Sequence, residues 1–377
     1  MRENPLFKKP IFLIILLIFF NFFVFLCGET YGESRQSWIK ATTQGFIKDG
    51  KPFRFIGAST VNLVFYDDWD LGVEKAIKTA KENNISVLRL YIDLGWGKAE
   101  DFDNIFDIAA KNGVYIILAF TDCCCSCDYP DLKRYFEVHA PFCDITNAKS
   151  KNALKKLIRQ IIERKNSVNG RIYRDDPTIM AWEIANELQY WFFSKSEVKT
   201  WIEEIAGYIK SLDGNHPVTI GVSANVPTDF KDYLDNAFNV KSIDFFSFHL
   251  YPSADIKNSD NTALLKKNIN RIKLITKEFL ALGKPVVLEE FGFSSSTELN
   301  LQFRTNKETA NFYNEVFKES MDAAFYAGCS GAMFWGWGVP GEKTVPMWWR
   351  NESHTSDDGI FCRFLKRYRI PDKSVPQ

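Results

Sequence analysis

Neither sign of charge predominates in this chain. Its 47 lysines and arginines are matched by 47 aspartates and glutamates, so the basic face that nucleic-acid binding requires is missing. No glycine-rich dinucleotide fingerprint and no P-loop follows any predicted strand, which leaves nucleotides without a visible seat. No cysteine spacing matches a known zinc pattern. The polar bias of a disordered chain is also absent, since 46% of the 377 residues are apolar, enough for a large core. Aromatics are what the chain has in excess, with ten Trp and 33 Phe. They fill cores, and exposed ones suit stacking on flat apolar faces.

The N-terminus reads as a targeting segment. Lys8 and Lys9 precede a stretch, 11–26, that is apolar except for Asn21. Its length is that of a long signal h-region or a short membrane span. Segment 1–32 is therefore expected to be a signal peptide or membrane anchor. The protein is expected outside the cytoplasm, secreted or held through 11–27. Cys27 raises lipidation, but Leu26 stands where a small residue would be expected. Export makes disulfides the default for Cys123, Cys124, Cys125, Cys127, Cys143, Cys329 and Cys362. The odd count leaves the pairing open. A metal held by the cluster at 123–127 with His139 is the competing reading. The expectation is no metal and no cofactor.

Behind the leader, short apolar strands alternate with amphipathic helices. A hairpin is predicted at 45–55, with Asp49-Gly50 as its turn. Strands are predicted at 54–60, 86–92, 114–120, 179–185, 217–222, 244–249, 285–290 and 330–335. Helices fall at 73–82, 100–111, 149–164, 195–212, 230–236, 263–282 and 308–327. In the third, Leu154, Leu157, Ile158, Ile161 and Ile162 have helical spacing. Strands alternating with helices imply a parallel sheet. Eight such units fit one (β/α)₈ TIM barrel, which typically takes about 250 residues plus insertions. The fold class is α/β, with a barrel domain over 45–365 and a monomer expected. Active sites of such barrels lie at the C-terminal ends of the strands.

Those strand ends carry the chemistry. The strand Ile-Met-Ala-Trp-Glu-Ile-Ala-Asn-Glu ends in Asn186 and Glu187. The same dipeptide recurs at Asn314-Glu315 and Asn351-Glu352, in a predicted helix and a polar loop, where it reads as solvated surface. A second strand ends in Glu289-Glu290. Neighbouring strand residues point to opposite faces, so only one of this pair is expected at the barrel mouth. His249 and Tyr251 are two apart and share a face. Arg89 sits within an apolar strand and needs carboxylate partners. Each has a plain structural reading: a solvated acid, a core histidine, an ion pair. Their convergence on one mouth suits glycoside cleavage. One carboxyl group donates a proton to the leaving oxygen, and the other attacks the anomeric carbon.

These stretches resemble glycoside hydrolase family 5, closest to its β-mannanase-like branch. The run 164–187, ending in Ala-Trp-Glu-Ile-Ala-Asn-Glu, is similar to the family's fourth-strand signature. Phe-His-Leu-Tyr-Pro at 248–252, Leu-Glu-Glu-Phe-Gly at 288–292 and Gly-Ala-Met-Phe-Trp at 331–335 resemble later ones. The resemblance covers about 45–362. It implies Glu187 as acid/base and Glu290 as nucleophile, because the family's nucleophile directly precedes an aromatic-Gly pair, here Phe291-Gly292. It implies that Asn186 binds the sugar 2-hydroxyl, that Arg89, His249 and Tyr251 position the glutamates, and that Trp335 is a sugar platform. Trp96, Tyr190 and Trp191 would line the cleft, and Glu183 would be a structural partner. The implied activity is retaining, endo-acting hydrolysis of β-1,4-mannosidic bonds in a polysaccharide. A β-glucanase or exo-β-mannosidase on the same scaffold stays open, as does a non-catalytic carbohydrate binder. Two departures bear on substrate. Leu188-Gln189 replaces the usual Pro-Arg, and a cysteine-rich segment, 122–128, replaces a Trp- and Gly-rich loop.

Overall fold

The structure is a computed structural model that describes residues 36–60, 63, 69–92, 99–123, 143–225, 230–251, 261–292, 307–338 and 359–372. The leader, Trp96, Cys124, Cys125, Cys127 and His139 lie outside the described residues. Among those described, no helix is long and apolar enough to cross a membrane.

The hairpin forms where Asp49 and Gly50 allow it. Both take positive φ, 51° and 72°, which a tight two-residue turn requires and which glycine adopts without cost. The turn joins β2 (Gly45–Lys48) to β3 (Lys51–Phe53), and an unanticipated strand, β1 (Ile39–Thr42), pairs antiparallel with β2. Ile39 and Phe46 face Phe55, Tyr115 and Phe245 in a small apolar cluster. The three-stranded sheet thereby closes the end of the barrel where the strands begin.

The barrel strands are β4 (Phe55–Ser59), β5 (Ile85–Tyr91), β6 (Tyr115–Ala119), β7 (Ile179–Glu183), β8 (Val218–Thr219), β9 (Gly221–Ser223), β10 (Phe246–His249), β11 (Val286–Glu290) and β12 (Gly331–Trp335). All neighbours pair in parallel, in the order β8-β7-β6-β5-β4-β12-β11-β10-β9. Only Ile220 separates β8 from β9, so the two ends of the sheet belong to one stave. The barrel closes with eight staves, as predicted.

Helices α1 (Trp69–Glu82), α2 (Ala99–Asn112), α3 (Ala148–Ile162), α4 (Lys195–Leu212), α5 (Asn261–Leu280) and α6 (Lys307–Ala327) surround it. The helix predicted at 230–236 is a short helix, Phe230–Tyr233, running into a wider π-type turn, Leu234–Phe238. A further helix, α7 (Gly359–Arg367), was not anticipated; its apolar face buries Phe361, Cys362 and Leu365. Helix α4 starts on a complete capping box between Ser194 and Glu197, which satisfies two backbone N–H groups at its end. In α3, Leu154, Leu157, Ile158, Ile161 and Ile162 are buried, as their spacing implies.

The barrel interior is layered. Val87, Ile117, Ala181, Val287 and Met333 fill the lower level with apolar volume. Two residues further along the same faces lie Arg89, Glu183 and Glu289, all buried. The strand period of two thus stacks a charged layer on an apolar floor. One disulfide joins Cys123 to Cys143 across a separation of 20 residues. Cys329 and Cys362 are buried.

Candidate active site

Arg89 organises the barrel mouth. It reaches from the middle of β5 and is wholly buried. Its Nε and Nη2 donate to the two oxygens of Glu183 at 2.6 Å each. Nη2 also donates to Asn186 Oδ1 at 2.7 Å, and Nη1 to Glu290 Oε1 at 2.5 Å. Nη1 makes a further short bond to the Tyr91 hydroxyl. The planar guanidinium fits this role because its donors form a rigid fork that grips a carboxylate bidentately. Burial works against its charge, but Glu183, Tyr91 and Glu289 outweigh that and hold it firmly protonated.

Glu290 ends β11 and is nearly buried. Oε1 accepts from Arg89 and, at 2.7 Å, from Tyr91; Oε2 accepts from Tyr251 at 2.8 Å. Burial raises the pKa of both phenols, Glu290's charge adds to the rise, and Arg89 only partly offsets it at Tyr91. Both hydroxyls therefore keep their protons and act as donors. Three donors thus converge on the Glu290 carboxyl group.

Glu187 lies just beyond β7. Its backbone adopts φ of 43°, a left-handed conformation that costs a non-glycine residue about 1–3 kcal/mol. Its N–H donates to Gly221 O at 3.0 Å, which pins that turn to β9. The turn swings the side chain toward β10, where Oε1 meets His249 Nδ1 at 2.9 Å. Glu187 is the more exposed of the two acids, with 15% of its side chain accessible against 6% for Glu290. One ligating atom each from Glu187, His249 and Glu290 lie within 4.8 Å of one another.

His249 bridges the acids. Nδ1 faces Glu187 at 2.9 Å and Glu290 at 3.6 Å, while Nε2 faces Glu289 at 3.3 Å. Burial disfavours the imidazolium, yet the charge of Glu290 and the hydrogen bonds to Glu187 and Glu289 push it up to about 10. Two carboxylates and a histidine have the composition of a metal-ligand set. With both ring nitrogens directed at carboxylates, a protonated His249 offers an ion no lone pair.

The expectation that Glu289 and Glu290 point to opposite faces needs correction: both turn into the barrel, although only Glu290 stands at the mouth, with Glu289 in the buried layer beneath it. Glu289 points inward by strand alternation, in line with Val287. Glu290 reaches the site as well, because the β10–β11 register shifts: Phe248 pairs with Leu288, but His249 pairs with Glu290. The irregularity re-aims the last residue of the strand. Tyr190 also departs from expectation. It is fully buried, packed on Trp191, Tyr233 and Phe238, with its hydroxyl on Ser223 O at 3.0 Å. It supports the loop from beneath and does not line the cleft. Trp191 is half-buried against that cluster. Trp335 ends β12 half-buried, its ring 6.5 Å from that of Tyr91.

Sequence reading passed over three contributors. Tyr91 shares a face with Arg89, two residues on, and alternation alone would have found it. Asp122 accepts from Asn186 Nδ2 at 2.8 Å and fixes the amide orientation. Gly221 is the third: a Cβ there would collide with Glu183 Oε1 and come within 3.0 Å of Arg89 Nη2 and 3.1 Å of Glu289 Oε2. The run before β7 proves to be scaffolding. Arg164 binds Asp103 of α2 at 2.5 Å, and Tyr173 donates to the same carboxylate at 2.6 Å.

Comparison with known proteins agrees with this geometry. The sequence pattern described as GH family 5 beta-mannosidase-like matches residues 39–359. Mannan endo-1,4-beta-mannosidase 4 of Solanum lycopersicum is 24% identical over 363 residues, covering 86% of this chain and 88% of the relative. Mannan endo-1,4-beta-mannosidase 1 of Oryza sativa subsp. japonica is 27% identical over 348 residues, with 81% and 79% covered. A family 5 mannosidase structure from Rhizomucor miehei superposes with a TM-score of 0.69 at 21% identity, covering 88% of this chain and 97% of that one. An endo-beta-1,4-mannanase structure from Thermotoga petrophila gives 0.66 at 23%, covering 84% and 77%. At such identities the structures speak for the barrel fold.

Proposed function

The chain belongs to glycoside hydrolase family 5, in its β-mannosidase-like branch, and from that premise we propose that it is a retaining endo-β-1,4-mannanase using Glu290 as nucleophile and Glu187 as acid/base. The observation that carries the reading is the closeness of the two acids, with a carboxylate oxygen of each within 4.8 Å. Retaining glycosidases hold their carboxyl groups about 5–5.5 Å apart, whereas inverting ones need roughly 6.5–9.5 Å to admit a water.

Each acid suits its role. Glu290, anchored by Arg89, Tyr91 and Tyr251, attacks the anomeric carbon as a carboxylate and forms a glycosyl ester. Glu187, the more accessible acid, gives its proton to the departing oxygen. It then takes a proton from the water that opens the ester. In that second step its carboxylate faces His249 Nδ1 at 2.9 Å, which stabilises the base form. Asn186, held by Arg89 and Asp122, presents its amide beside the nucleophile, where the sugar 2-hydroxyl lies. Trp335 serves as the sugar platform and Trp191 as a cleft wall.

Mannan as substrate is supported by the curated relatives, both mannan endo-1,4-beta-mannosidases. Leu188 and Gln189, where the branch usually has Pro-Arg, are both buried, so that subsite gains no cation from this segment. Export through segment 1–32 belongs to the same proposal. The test is a panel of mannan, glucomannan, cellulose and short manno-oligosaccharides, read by reducing ends and product length. Mid-chain cleavage of mannan supports the reading. Faster release from cellulose would make it a glucanase, mannose as sole product an exo-enzyme, and binding without cleavage a carbohydrate-binding protein.

A further inference from the structure

Beneath the two proposed catalytic acids lies a second carboxyl pair, Glu183 and Glu289. Both are wholly buried, and both face Arg89: Glu183 bidentately at 2.6 Å, Glu289 at 3.6 Å. They crowd one spot beside Gly221, where the missing side chain leaves them room. The charges do not balance if every acid is ionised. Arg89 and His249 supply two cations, against the carboxylates of Glu183, Glu187, Glu289 and Glu290. Tyr91 and Tyr251 are neutral, and Ser247, Asn186 and Gly221 complete the wall without charge. Glu289 Oε1 is also buried without a hydrogen-bond partner, and an orphaned carboxylate oxygen in a closed interior is costly.

The geometry points to Glu183 and Glu289 as positioning residues that share a single proton, which holds Arg89 on Glu290 and Asn186. With that proton in place and a second on Glu187, the cluster is neutral overall. Burial and the neighbouring charge of Glu289 raise Glu183 to about 7, with Arg89 pulling the other way, while Arg89 and His249 overcome burial to keep Glu289 low. Such a pair titrates as a unit. When the proton leaves, Glu183 and Glu289 both pull on Arg89, in competition with Glu290 and Asn186, and the nucleophile loses its anchor.

The inference rests on the hydrolase reading, and the experiment separates the two. An activated aryl mannoside needs no proton for its leaving group, so its kcat/KM is insensitive to the acid role of Glu187. For the wild-type enzyme, kcat/KM on this substrate should fall about tenfold for each unit of pH once the pair's proton is lost above neutrality. Glu289→Gln places an amide donor at the orphaned oxygen and keeps the other oxygen for His249. Relative to its own activity below neutrality, it should lose that alkaline fall. Glu183→Gln breaks one of the two Arg89 contacts and should lower kcat at every pH, with KM little changed. In a Glu187→Gln background, which removes the other protonated carboxyl, infrared difference spectra should show a protonated carboxyl band that disappears above neutrality and is missing once Glu289→Gln is added. An alkaline limb in Glu289→Gln identical to the wild type, or the absence of that band, overturns the shared proton. A wild-type enzyme inactive on every mannoside would instead overturn the hydrolase reading.

Discussion

Replacing Arg89 with methionine tests how the charged layer is held. Methionine fills most of the apolar stem's volume and removes only the fork. Lost with it are the two 2.6 Å bonds to Glu183, the 2.5 Å bond to Glu290 and the 2.7 Å bond to Asn186. Among the described residues, the three buried carboxyl groups are then left with His249 as their one cationic partner. Removing one partner of a buried ion pair costs about 3–5 kcal/mol, a large part of the roughly 5–15 kcal/mol that holds a typical domain together. For a domain of this size that corresponds to a fall of about 4–7 °C in Tm. The sign of the pH dependence follows. Without Arg89, the folded-state pKa values of Glu183 and Glu289 rise above their unfolded values, so stability is retained at acidic pH and lost as pH rises. Differential scanning calorimetry from acidic to alkaline pH measures this directly. Arg89→Met combined with Glu183→Gln should recover part of the loss, because one uncompensated charge is gone. A Tm for Arg89→Met within about 1 °C of wild type at neutral pH, or no recovery in the double variant, would refute the reasoning.

Gly221→Ala should cost about 1–3 kcal/mol by overpacking against Glu183, Arg89 and Glu289, and should lower kcat more than it raises KM; unchanged stability and kcat would show that the cradle is roomier than described. Wild-type stability should decline from neutral to alkaline pH. His249, raised from 6.5 to about 10, contributes stability that is present below 6.5 and lost up to about 10, and Glu183, raised from 4.5 to about 7, acts in the same direction between those two values; a Tm that rises from neutral to alkaline pH would contradict the His249 contribution. Cys143→Ser removes a link closing 20 residues, worth about 3 kcal/mol by loop entropy, and reductant should then lower the variant's Tm less than that of the wild type.

Much of the barrel was legible in the sequence because its strands are short apolar runs and its helices are amphipathic. The two periods differ enough to be told apart. What escaped depended on contacts between distant segments. Strand β1, only four residues, is too short to show a period and owes its place to pairing with β2. Helix α7 follows a stretch without a clear period and is fixed by Phe361 packing on Phe317 and Phe334. Within the site, Arg89 stood out because a lone cation in an apolar strand demands partners. Tyr91 was masked by its ordinary place in a strand, and Gly221 by having no side chain at all. That Glu289 and Glu290 both face inward was missed because strand alternation says nothing of a register shift, which arises only when β10 meets β11. Tyr190 looked like a cleft aromatic from its position beside Glu187, yet its packing faces the other way.

The central claim, a double displacement in which Glu290 becomes covalently glycosylated, is tested most directly by trapping. A 2-deoxy-2-fluoro mannoside with an activated leaving group slows opening of the ester and lets it accumulate. Proteolysis and mass spectrometry then locate the label. The account predicts one sugar per chain, attached at Glu290, with wild type and Glu187→Ala both labelled and Glu290→Ala not. A label on Glu289 or Glu187, or an active enzyme that forms no adduct and releases the inverted anomer, would contradict it.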